Sequence, residues 1–325
     1  MSKGEHTPMG GYFELELPQG RDLPHVGLTR FQSARAAFLA LLRAGKPKKV
    51  WMPRYICNAM VAPLERAGIE CLWYELSDEL RVDAEVKLGD GDWLLYVNYF
   101  GLCDTNVAEL LKRFPPDQVV LDYSQSFFAP PSEVALATIY SPRKFFGVPD
   151  GGLLHSRISV RQPEVADAHS LERTTHLMQR LADTPESGYA AYQRAEESLL
   201  DCEPMRMSWL TERILSSIDF AATSKRRCEN MQFLHERLHT VNQFPIGTQL
   251  TSVPLCYPFM TGNEELRSRL IANRVFVATY WPDAIGRVST QWADKMVRNL
   301  LPLPIDQRYS RADMDQLASM VLDNI

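Results

Sequence analysis

Apolar residues in the first half of the chain fall into short unbroken runs rather than alternating with polar ones. Lys48 to Met52, stopped by Pro53, Glu70 to Tyr74, Trp93 to Val97, Gln118 to Leu121 and Ala135 to Tyr140 each have strand length, and Gly152 to His155 is a further candidate. Between them, Phe31 to Ala44, Ile56 to Ala67 and Asn106 to Phe114 carry helical spacing, and Gly68 reads as a C-terminal cap. Strands that are apolar on both faces and alternate with helices predict a buried, mostly parallel sheet in an α/β protein.

The pattern changes after His155. Pro163 to Ala182, Ser187 to Leu200 and Met207 to Leu238 read as helices, the last one long. Val253 to Phe259, Val275 to Thr279 and Leu301 to Ile305 read as strands, with helices at Asn263 to Asn273 and Arg311 to Asn324. The expected division is a large domain over residues 1–205, including an N-terminal arm. A bridging helix and a smaller α+β domain follow over residues 206–325. No internal repeat or low-complexity segment is visible.

Composition narrows the class. A chain of 325 residues with 45% hydrophobic and 23% charged residues suits a soluble globular protein with a sizeable core. A net charge of −5 gives no nucleic-acid footprint, and the basic tracts at Lys46 to Lys49 and Lys225 to Arg227 are short. No apolar run approaches the ~20 residues needed to span a bilayer. Residues 1–19 lack an apolar segment behind basic residues, so no signal peptide is expected. The six cysteines form no CxxC pair and the seven histidines no metal-ligand spacing. Reduced thiols in a cytoplasmic protein without a metal are the expectation.

The chemistry concentrates between residues 118 and 155. Asp122 ends one apolar run, at the strand end where open α/β sheets place ligands. It reads equally as a turn or helix-cap residue. Gln125 lies three positions on. Lys144 follows the next run through Ser141-Pro142-Arg143, and Phe145-Phe146 behind it predict a buried backbone. Burial would favour the neutral amine that attacks an aldehyde, although a lysine after a strand is more often merely solvated. Gly151-Gly152 permits a tight turn close to a ligand.

Asp122, Gln125, Ser141-x-x-Lys144 and Gly151-Gly152 together resemble the fold type I pyridoxal phosphate enzymes, in particular the DegT/DnrJ/EryC1/StrS sugar aminotransferases. The resemblance implies a three-layer α/β/α large domain plus a smaller C-terminal α+β domain. It implies that Lys144 carries pyridoxal 5'-phosphate as an imine, that Asp122 keeps the ring nitrogen protonated, and that Gln125 lies under the ring. Ser33-Ala34-Arg35 at the start of the first helix resembles the segment that cradles the phosphate, with Ala34 in place of a glycine. Tyr55, in Pro53-Arg54-Tyr55, is similar to a ring-stacking position, while Cys57 stands where some members have an aromatic. Asn98, in Asn98-Tyr99-Phe100-Gly101, resembles the asparagine that bonds the ring hydroxyl, and Leu301-Pro302-Leu303 a closing strand.

One motif departs. Pro204-Met205-Arg206-Met207 stands where the family has Asn-Tyr-Arg-Met, whose asparagine reaches the phosphate of the partner subunit. Arg206 and Arg35 are the candidate substitutes. The resemblance implies a homodimer that moves an amino group from glutamate to a keto sugar nucleotide. Two alternatives stay open: a cofactor-fold binding or regulatory protein without transaminase activity, and a sugar-nucleotide enzyme that uses Asp122 as a metal or ribose ligand.

Overall fold

In the computed structural model, which describes residues 9–18, 20–247 and 251–325, the apolar runs of the first half pair into one seven-stranded sheet. In chain order its parts are β1 (Thr29–Phe31), α1 (Ala34–Gly45), β2 (Lys49–Pro53), α2 (Asn58–Ala67), β3 (Glu70–Tyr74), β4 (Trp93–Val97), α3 (Asp104–Arg113), β5 (Val119–Asp122), β6 (Ala137–Tyr140) and β7 (Gly152–Ser156). The strand order is β1-β7-β6-β5-β4-β2-β3. β2 to β6 run parallel, with Val97 opposite Asp122 and Asp122 opposite Ile139. β7 turns back antiparallel between β6 and β1. β4, β5 and β6 are buried along their whole length, which is why their sequences do not alternate.

Parallel strands carry their helices across the sheet faces, so the carboxyl ends of β2, β4, β5 and β6 open at one edge. Asp122 is the last residue of β5, and Ser141 follows the last residue of β6. The N-terminus of α1 comes to the same edge because the parallel bridge Ser33–Gly151 and the bond from Gly151 N–H to the Gln32 carbonyl clamp it to the start of β7. Gly152 is needed here: a Cβ at that position would stand 2.2 Å from the Ser33 carbonyl carbon.

The second half adds α4 (Ser170–Arg173), α5 (Thr175–Ala182) and α6 (Pro185–Glu197), then α7 (Trp209–Ser216) and α8 (Phe220–Leu238). β8 (Tyr257–Met260), α9 (Leu266–Ala272), α10 (Gln291–Asn299), β9 (Leu300–Leu303) and α11 (Arg311–Leu322) complete it. β8 and β9 form a two-stranded antiparallel sheet covered by α8 and α11. Their apolar faces make a core of their own, built from Met231, Leu234, Tyr257, Phe259, Leu317 and their neighbours. Among the described residues, no helix is long and apolar enough to cross a membrane.

Several expected elements differ. Met207 to Leu238 is two helices, broken where Asp219 accepts the Ala222 N–H and caps α8. Pro163 to Ala182 is helical only from Ser170, because residues 165–167 pair instead with Arg206. The strand expected from Val253 begins only at Tyr257, and Val275 to Thr279 pairs with no strand among the described residues and stays irregular. α10 was not foreseen.

Candidate active site

At the carboxyl edge of the large sheet, a cleft of about 830 Å³ opens between the strand ends, the α5–α6 hairpin and the segments 278–283 and 306–308. Asp122 enters from β5, and its Oδ1 accepts the Ser124 N–H at 2.8 Å, which fixes the carboxylate at the strand end. Gln125 lies beside it, 1% exposed, with Oε1 held at 2.6 Å by the Phe100 N–H. The nitrogen end of its amide is therefore the end left for a ligand.

Lys144 ends a short 3-10 turn, Pro142–Lys144, that begins after Ser141. Its N–H bonds the Ser141 carbonyl at 3.2 Å, and both residues line the cleft. The burial expected of Lys144 is corrected here. Phe145 and Phe146 are buried, but Lys144 itself is exposed in the cleft mouth. Behind the turn, the buried Arg227 donates to the Leu255 carbonyl at 3.1 Å and to Gln307 Oε1, also at 3.1 Å, and stacks on Phe145 at 4.6 Å. These contacts tie the lysine turn to the C-terminal part of the chain.

The opposite wall is the first turn of α1. Ser33 caps it, accepting the Ala36 N–H, and Ser33, Ala34 and Arg35 all line the cleft. The N–H groups of Ala34 and Arg35 are the ones a helix leaves open at its start. Nη1 of Arg35 and Nε of Arg143 are buried without a hydrogen-bond partner. Arg143 is ion-paired with Glu196 of α6. An open helix start, a close-packed glycine beneath it and unpartnered guanidinium nitrogens together fit a phosphate group. Asp122 and Lys144 fit the ring nitrogen and the aldehyde carbon of the same molecule, so the residues present suit pyridoxal phosphate.

Two expected contacts are not formed. Tyr55 is turned into the interior, packed edge-on against Trp281 at 4.7 Å and stacked on Tyr99 at 5.8 Å, and does not line the cleft. Asn98 is fully buried and does not line the cleft: its amide donates to Asp104 at 2.7 Å and Ser126 at 3.3 Å, and its oxygen accepts the Cys103 N–H. Its groups are spent on the turn after β4. Cys57 does line the cleft. Burial pushes its thiol up, against the pull of Lys144, so it stands there as a neutral group.

His176, Arg180, Tyr192 and Glu196 of the hairpin, with Asp306 to Arg308, also line the cleft and were not foreseen. No sequence spacing joins them to Lys144; only the tertiary fold does. Arg206 is absent from the lining. Its guanidinium lies over Trp209 at 4.1 Å and pairs with Glu212 at 3.2 Å.

No protein-family model matches the chain, and no curated protein matches it. Solved structures are. A DegT/DnrJ/EryC1/StrS aminotransferase from Brucella abortus is 15% identical, with 91% of this chain and 85% of that one aligned at a TM-score of 0.62. DesV of S. venezuelae, solved in complex with a ketimine intermediate, is 18% identical over 91% and 84%, at 0.64. The sugar aminotransferase CalS13 from Micromonospora echinospora is 13% identical over 92% and 87%, at 0.64. The chain has the fold of these aminotransferases, the fold type I architecture, across nearly its whole length.

Proposed function

We propose that this protein is a pyridoxal phosphate-dependent aminotransferase acting on a sugar. The observation that carries the reading is the convergence of Asp122, Lys144 and the start of α1 on one cleft from three separate segments. That convergence needs the whole sheet, and no single motif explains it. The similarity in fold to DesV and CalS13 supports it.

The first turn of α1 would hold the phosphate, Gln125 would sit against the ring, and the Asp122 carboxylate would keep a proton on the ring nitrogen. The bound cofactor supplies an electron sink for a carbanion at the carbon bearing the amino group. Lys144 has two tasks within reach of one flexible side chain. Its Nζ would hold the cofactor when it is bound, and once free would serve as the base that takes up and returns a proton at the substrate carbon.

Glutamate as donor, a keto sugar nucleotide as acceptor and a homodimer as the working form are the finer parts of the proposal, supported by likeness to sugar aminotransferases. The test is a half-reaction. Purified protein supplied with pyridoxal phosphate should turn yellow, lose that colour on adding L-glutamate, and regain it with the correct keto acceptor. Lys144→Ala should abolish the cycle. A protein that takes up the cofactor but never changes spectrum with any amino donor would instead favour a binding role. Sedimentation of the loaded protein as a monomer would remove the homodimer from the proposal.

A further inference from the structure

The N-terminal arm and the segment after α9 are both strand-like, and neither has a strand to pair with among the described residues. In the arm, Phe13, Leu15 and Leu17 alternate with Glu14 and Glu16, the period-two pattern of a half-buried strand. Yet Phe13 is 94% and Leu15 64% exposed, and residues 13–18 form no regular structure. At its root the arm is fastened to α7, where Arg213 donates to the Leu17 carbonyl at 2.8 Å and to the Pro18 carbonyl at 2.9 Å.

Residues 275–279 wall a second groove, of about 930 Å³, between the α5–α6 hairpin and the C-terminal part of the chain. Burial alternates along them: Val277 belongs to the core of the smaller sheet, while Phe276 and Ala278 are exposed. Without a neighbouring strand their edge stands open beside the groove. Tyr189 and Ile271, both exposed, add apolar surface. The groove runs into the cleft of Lys144, because Arg180, Tyr192, Thr279 and Arg308 line both.

The charges match as well. The charged residues lining the groove are Arg180, Arg274, Arg308 and Asp313. Arg274 pairs with Glu186, Arg308 pairs with Asp306, and the Asp313 carboxylate accepts the Ser310 N–H at 2.7 Å. Arg180 has no ion-pair partner among the described residues, and neither have Glu14 and Glu16 of the arm. In the single chain the arm stands clear of this groove.

We propose that the arm of a second copy of this chain lies in the groove and adds a strand along residues 275–279. Its apolar side covers Phe276, and its carboxylates meet Arg180. Main-chain bonds along an open edge hold such a segment, and alternate side chains select it. Each copy then closes the groove that leads into its partner's cleft, so the partner contributes to the site. The inference rests on the homodimer of the reading above and is independent of the cofactor.

The experiment joins the two segments chemically. Chains carrying Leu15→Cys and chains carrying Phe276→Cys are co-expressed and treated with a short bismaleimide, which tolerates a shift in register. Wild type treated alike gives the background of its six cysteines. The expected product contains two chains, with residues 15 and 276 joined in its peptide map. Without the linker, Phe13→Asp combined with Leu15→Asp should weaken self-association at least ~100-fold by sedimentation, as loss of two buried apolar side chains does. Both residues are exposed in the single chain, so the fold does not depend on them. Linkage of 15 to 276 within one chain, in a chain carrying both cysteine substitutions, shows that the arm serves its own groove and overturns the proposal. A dimer with no 15–276 link, or one that the aspartates leave unchanged, overturns it too. Wild type that sediments as a monomer removes the homodimer and the inference together, while cofactor binding is read separately by its colour.

Discussion

Gln125 accepts the N–H of Phe100 at 2.6 Å, and Phe100 is a non-glycine residue held at φ 58. A side chain that lines the cleft thus also secures a left-handed turn behind it. Phe100 returns the support by accepting the Leu255 N–H at 2.8 Å and stacking on Tyr280 of the cleft wall. Gln125→Ala leaves the buried Phe100 N–H without an acceptor and should cost about 1–3 kcal/mol of stability. Gln125→Glu keeps an acceptor and should cost less. Urea denaturation of both variants checks the difference.

The α4–α6 hairpin that walls the cleft hangs on a buried ion pair. Arg173 bonds Asp167, with side chains 2% and 0% exposed, and its Nε donates to Ser198 at 2.6 Å. Removing one member strands the other charge. Arg173→Met should destabilise by about 3–5 kcal/mol, and the double variant with Asp167→Leu should recover much of it. Hydrogen exchange over residues 170–197 should rise in the single variant. Unchanged protection there would show that the pair does not hold the hairpin.

His25 anchors the N-terminal arm by stacking on Tyr140 at 4.4 Å, while its Nε2–H donates to the Phe127 carbonyl. Burial lowers its pKa, the carbonyl bond opposing. A lowered histidine pKa means that the unfolded chain takes up the proton first. The stabilisation is therefore full above the ordinary value, ~6.5, and is lost as pH falls from there through the lowered value. His25→Phe keeps the stacking and removes the titration. Proteolysis of the arm between pH 7 and 5 should accelerate in wild type and stay flat in the variant.

In the proposed chemistry Asp122 would act on the ring nitrogen and would not hold the phosphate. Asp122→Asn should leave pyridoxal phosphate bound while slowing the glutamate half-reaction by at least ~100-fold, as loss of one fixed electrostatic contact does. Stopped-flow absorbance separates the two effects. Lost binding with an unchanged rate in whatever protein is loaded would contradict the role.

Much of this was legible in the sequence where local rules decide. Glu70–Tyr74 and Trp93–Val97 appear with the expected ends because continuous apolar runs have few other uses. Asp122, Gln125, Ser141, Lys144 and the Ser33–Arg35 turn come to one cleft because the first four lie at or just after the ends of β5 and β6, and the last opens α1 at the same edge. The reading failed where partners are remote. Tyr55 and Asn98 sit at strand ends like the others, but Trp281 draws one inward, and Asp104 with Ser126 saturates the other. Val275 to Thr279 has strand-forming residues but no strand beside it, and Arg274 before it lies at φ 62. The hairpin residues that line the cleft with Lys144 carry no sequence mark at all.

The central claim is that Lys144 is the residue that joins the cofactor. The most direct measurement is reduction of the yellow protein with borohydride, followed by proteolysis and mass spectrometry of the fragments. The cofactor should be recovered on Lys144 alone, and Lys144→Ala should give no labelled fragment. A label on another lysine, or equal labelling of wild type and variant, would contradict it.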